Sequence, residues 1–135
     1  MARHAALLVL GAGILAVMCA GAARAEDTYG AIAYSAPSDS VHFRIKCWSR
    51  AECEEDALKS CREGASHPDA CEVLLWFRDA CGAFARAGNG AYGTGWGDSQ
   101  EMAKRYAIAT CQDHGGEDCV SKTSACSSGA FTLEK

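Results

Sequence analysis

Small and apolar residues alternate along Tyr29 to Tyr34, and Val41 to Lys46 alternates as Val-His-Phe-Arg-Ile-Lys. Period-two patterning is the mark of a half-buried strand. Ala36-Pro37-Ser38-Asp39 lies between these runs and reads as a turn, so the two strands form a hairpin. Cys53, Ala57 and Cys61 then recur at helical spacing and make one buried stripe behind a Ser49-x-x-Glu52 capping box. Gly64 ends that helix, and Cys71 to Phe77 reads as an apolar strand. Trp76 and Phe77 are expected in the core.

The same order returns. Cys81 to Ala87 reads as a strand, Asn89-Gly90 as a hairpin turn, and Ala91 to Trp96 as the returning strand. Asp98-x-x-Glu101 reads as the second capping box, Ala103, Ala107 and Cys111 as the second helical stripe, and Cys119 to Ser124 as a strand. Gly30-Ala-Ile-Ala33 matches Gly82-Ala-Phe-Ala85, and Trp48 matches Trp96. Ser49, Ala57, Leu58 and Cys61 recur at one constant offset as Ser99, Ala107, Ile108 and Cys111. We read two repeats, residues 29–77 and 81–126, each a β-hairpin, a helix and a strand. The expected fold is α+β, with an antiparallel sheet, helices packed on one face, and disulfide staples.

Ahead of the repeats lies a leader. Arg3 and His4 give a basic start, Leu7 to Val17 an apolar centre, and Ala23-Arg24-Ala25 a small-x-small cleavage site. That is the pattern of a secretory signal peptide over residues 1–25, and Cys19 leaves with it. The remaining residues 26–135 make a single domain by length. The leader carries Arg3 and Arg24 and no acid, so the exported chain has 11 basic and 17 acidic residues, a balance of −6 in place of −4. An acidic chain without a basic block argues against nucleic acid and anionic membrane as partners. The location expected is the periplasm or the extracellular space.

Nine cysteines occur in the sequence, eight of them after the leader. In an exported domain of this size they imply disulfides before anything else. The repeat pairs Cys61 with Cys71 and Cys111 with Cys119, each joining a helix end to the next strand. Cys81 and Cys126 start and end the second sheet and pair across it, which leaves Cys47 with Cys53. The close Cys or His spacings of a zinc site are absent, as is the Cys-x-x-Cys of a redox dithiol, so no metal or cofactor is expected. Gly88-Asn-Gly-Ala-Tyr-Gly93 fits the dinucleotide fingerprint, but a strand rather than a helix follows it. The hairpin reading is preferred.

Trp48 and Trp96 stand just before each helix, where they either cover the seam between helix and sheet or present aromatic anchors to a partner. His114 follows Asp113 in an acidic loop with Glu117 and Asp118, read first as a solvated loop and only then as a place for a weak cation or a hydrolytic pair. No nucleophile elbow is present.

Tyr29-Gly-Ala-Ile-Ala-Tyr-Ser35, Trp48, Ala57-Leu58 with Cys61, Cys71-Glu-Val73, Cys81-Gly-Ala-Phe-Ala85, Trp96-Gly97, Ala103, Ala107, Cys111 and Cys119 together resemble the bacterial "domain of unknown function 4189" family. The resemblance runs from Tyr29 to Cys126. It implies a small exported bacterial protein, and some mycobacterial members look like secreted effectors acting on host cells. It brings no catalytic residues, and Cys47 and Cys53 stand outside its usual pattern. The function expected is a non-enzymatic protein-interaction module, effector- or inhibitor-like, with an unknown protein as partner. The alternatives are a small envelope-associated hydrolase with a loop-assembled site and a structural envelope protein.

Overall fold

The computed structural model describes residues 26–133, so the leader and Cys19 lie outside the described residues. Seven strands and two helices follow one another: β1 (Tyr29–Ser35), β2 (Ser40–Cys47), α1 (Arg50–Gly64), β3 (Cys71–Arg78), β4 (Cys81–Arg86), β5 (Tyr92–Gly97), α2 (Gln100–Asp113), β6 (Val120–Cys126) and β7 (Phe131–Leu133). The fold is α+β with antiparallel pairing throughout.

The expectation of one sheet carrying both helices on one face needs correction. Two sheets form, in the orders β2-β1-β3 and β5-β4-β6-β7. The reason lies in the central strands. On β1, Ala31 and Ala33 pack under α1, while Ile32 belongs to the core shared with Phe77 and Ala80. On β4, Ala83 and Ala85 pack under α2, while the Phe84 ring lies at a tilt against Tyr34 of β1, 4.8 Å between centroids. Both faces of each central strand are therefore buried. One sheet with both helices on one side would leave Ile32 and Phe84 in water, at about 1.5–3 kcal/mol each. The sheets instead face each other, with a helix outside each.

Small residues allow the close layers. A Cβ on Gly93 or Gly95 would run into the backbone of α2, so that helix lies almost directly on β5. At the centre, the ring of Phe77 fits between Gly30 of β1 and Gly82 of β4, and a side chain at either glycine would meet it.

The two halves also share an irregularity. Pairing of β1 with β3 shifts between Ile32 and Ala33, and pairing of β4 with β6 shifts between Phe84 and Ala85, the corresponding step. The first helix is capped by Ser49, whose Oγ accepts from Glu52 N at 3.2 Å, while Trp48 N donates to the Glu52 carboxylate at 2.9 Å. The second is capped by Ser99 rather than by Asp98: its Oγ accepts from Met102 N at 3.2 Å. The hydroxyl wins because it occupies the position equivalent to Ser49.

A polar hub joins the halves. Ser127 N donates to Ala80 O at 2.8 Å, and Lys46 N donates to Ser127 O at 3.0 Å. The hydroxyls of Thr28 and Ser127 lie 2.9 Å apart. Thr28 and Asp79 close the same corner through Thr28 N to Asp79 Oδ1 and Asp79 N to Thr28 O, both at 2.9 Å.

Candidate functional site

The eight described cysteines are all paired. Disulfides join Cys47–Cys53, Cys61–Cys71, Cys81–Cys126 and Cys111–Cys119. Cys53, Cys61 and Cys111 have no solvent exposure, which removes them from thiol exchange in the folded protein. Cys81 and Cys126 face each other across β4 and β6, with Cα atoms 3.8 Å apart. Among the described residues, no group of three or more His, Cys, Asp or Glu side chains could hold a metal ion.

The tryptophans are where the surface departs from a solvated one. Trp48 is 70% exposed, Trp96 57% and Trp76 39%. None seals a seam, and Trp76, expected in the core beside Phe77, is half out of it. Strand pairing also separates Trp48 from Trp96. Cys47 lies opposite Tyr29, and Gly97 lies opposite Cys81. Trp48 therefore follows its strand, whereas Trp96 sits within β5, three residues ahead of the cap. They are not counterparts: at the offset that relates Ser49 to Ser99, Trp48 corresponds to Asp98 and Trp96 to Lys46.

Trp96 shares a groove with Trp76 instead. Leu74, Leu75, Trp76, Phe77 and Arg78 of β3 and Trp96 of β5 line a groove of about 540 Å³ between the two sheets. Both strands are sheet edges. On its other side Trp96 borders a second hollow of about 550 Å³, shared with Asp98, Met102 and Tyr106. Its indole thus borders two depressions. The Arg50 guanidinium lies 4.5 Å from the Trp76 ring centroid, and its Nε bonds the Glu54 carboxylate at 2.8 Å. Trp48 is not part of the groove lining.

The polar clusters elsewhere serve the frame. Arg86 pairs with Asp39, and Tyr34 OH donates to Asp39 Oδ1 at 3.1 Å, which ties the first turn to β4. Burial, then the Asp39 carboxylate, pushes the Tyr34 hydroxyl up to about 12. Burial and Arg44 push His42 below its ordinary value, and its Nε2 lies 2.8 Å from Ser40 Oγ. Ser38 Oγ accepts from His67 N at 2.8 Å, and His67 Nδ1 lies 3.2 Å from Ser66 Oγ, so these hydroxyls close a corner between two short turns. Asp113 and His114 do not converge on a cleft. The His114 Nδ1 is 2.9 Å from the Tyr92 carbonyl, which holds the ring to the start of β5.

The groove is not legible in the sequence, because its lining comes from strands in different halves. The alternation in Leu74-Leu75-Trp76 was masked by the bulge at Leu74. Strand β7 lies beyond the two repeats that the sequence marks, although Phe131-Thr132-Leu133 alternates.

No curated protein and no solved structure matches the chain. The family described as "Domain of unknown function (DUF4189)" matches residues 29–126, from the first residue of β1 to the last of β6. With that match spanning both sheets and both helices, the chain belongs to the DUF4189 family.

Proposed function

We propose that this protein is an exported, non-enzymatic protein-interaction module whose contact surface is the groove walled by Trp76 and Trp96. The observation that carries the reading is the exposure of two tryptophans, each on a sheet edge, that line one groove. Tryptophan is enriched among residues that dominate binding energy, and large apolar side chains left in water mark binding sites. Four disulfides suit an oxidising compartment. Among the described residues no helix is long and apolar enough to cross a membrane. The hydrolase reading lacks support, since the pair it would use, Asp113 and His114, lies outside the grooves.

The test is affinity capture with the oxidised protein and with the Trp76→Ala/Trp96→Ala variant. A saturable partner held by the first and lost by the second supports the reading. A partner held equally by both removes the groove from it. Turnover on a panel of ester, amide and glycoside substrates, with no partner found, overturns it.

A further inference from the structure

Strand β7 is an internal precedent for what the groove could hold. It lies outside the family match, on the free edge of β6, with Phe131 opposite Ala125, Thr132 opposite Ser124 and Leu133 opposite Thr123. Its Phe131 ring reaches Phe43 of the facing sheet, 6.0 Å between centroids. The two halves superpose by pairing. Gly30 faces Phe77 as Gly82 faces Ala125, and both ladders slip at the same step. The β6 residues covered by β7 therefore correspond to Leu75, Trp76 and Phe77 of β3. Those three line the groove, and among the described residues no strand pairs with that edge.

We infer that the β3 edge accepts an extended segment of a partner protein as an added antiparallel strand, of the pattern acid–apolar–any–apolar. An edge strand offers unpaired N–H and C=O groups, and pockets beside it select alternate side chains. The first apolar residue occupies the place of Phe131, opposite Phe77 and toward Trp96. The second takes the place of Leu133, opposite Leu75. Charge fixes the remaining position. The groove lining holds one cation and no acid, and Arg78 corresponds to Cys126, beside which the chain places Ala130. A carboxylate there faces Arg78 across the ladder, where it competes with the exposed Asp27, 3.6 Å away. The inference rests on the interaction reading and gives that site its ligand class.

The experiment uses the exported, disulfide-bonded protein labelled with ¹⁵N and a synthetic peptide copying residues 129–135 with Glu in place of Ala130. Saturable shifts of the Leu74–Arg78 amides and the Trp96 indole are expected. A peptide with Lys at that place should bind about two- to fivefold more weakly, the range of a cross-strand charge pair. Methylation of the peptide nitrogen of Phe131 or of Thr132 should abolish binding in at least one case, because neighbouring amides point to opposite sides of a strand. Absence of shifts along β3, shifts confined to Thr123–Ala125, or indifference to both methylations would overturn the inference. Its failure is separable from that of the broader reading. A Trp96-dependent partner captured without any peptide effect keeps the module and discards strand addition. Peptide binding along β3 without a captured partner keeps strand addition and discards the module.

Discussion

The guanidinium of Arg50, the first residue of α1, lies over the ring of Trp76 on an edge strand of the sheet that α1 covers, 4.5 Å from its centroid. A helix terminus thereby holds one wall of the groove. Replacing Arg50 with Ala should cost about 0.5–1 kcal/mol, the worth of an exposed cation–π contact. The same change should leave Trp76 freer, read as a shift in tryptophan emission and weaker partner retention. Unchanged emission would mean that the pair does not persist in solution.

Trp96→Ala and Phe77→Ala should separate binding from folding. The exposed indole of Trp96 predicts a stability change within about 0.5 kcal/mol. The buried Phe77 ring predicts a loss of about 3–5 kcal/mol. Urea titrations of the two variants measure the contrast, and a large loss for Trp96→Ala would show that its ring is structural.

Gly95→Ala probes the closeness of α2. The added methyl would meet the backbone of Ala107 and Ala103, so the helix must move outward. Overpacking of this kind costs about 1–3 kcal/mol. An unchanged melting temperature would contradict that approach.

The disulfides should rank by the chain they close. Cys81–Cys126 spans 45 positions and Cys47–Cys53 spans 6. Loop-closure entropy assigns about 4 kcal/mol to the first and about 2.4 kcal/mol to the second. Paired Cys→Ser variants, compared by chemical denaturation, test the order. Equal losses would point to packing rather than chain entropy.

Alkaline unfolding should carry the signature of Tyr34. Its hydroxyl titrates near 12 in the fold against an ordinary 10.0. Between those values the unfolded chain has released the proton and the folded one holds it, so stability falls as pH rises through the window. Tyr34→Phe should flatten that fall. His42 acts at the other end: its folded value lies below 6.5, so the unfolded chain binds the extra proton and stability declines as pH drops below about 6.5. His42→Gln should lessen the acid decline, as followed by thermal melts between neutral and mildly acidic pH.

Much of the fold was legible because local chemistry wrote it. Ser49 and Ser99 announce the helices, and the Cys and Ala stripes announce their buried faces. The number of sheets was not legible. Alternation of Ala31 with Ile32 says that both faces of β1 are covered, but not whether water, a helix or a second sheet covers the larger side chain. The groove was less legible still. Trp76 and Trp96 are twenty positions apart and belong to different sheets, so no spacing rule joins them. Trp48 matches Trp96 by order alone, and the strand register, with Cys47 opposite Tyr29 and Gly97 opposite Cys81, dissolves that match.

The placement of Phe77 between Gly30 and Gly82 has a consequence for dissection of the chain. Residues 29–77 expressed alone would bare Ile32, Tyr34 and Phe77, the very surface that the other half now covers. Such a fragment would have two ways to hide it, clumping or embracing a second copy of itself. Symmetric self-pairing would set one Phe77 against the Gly30 of its twin, and each fragment would supply to the other what one covalent chain now supplies to itself.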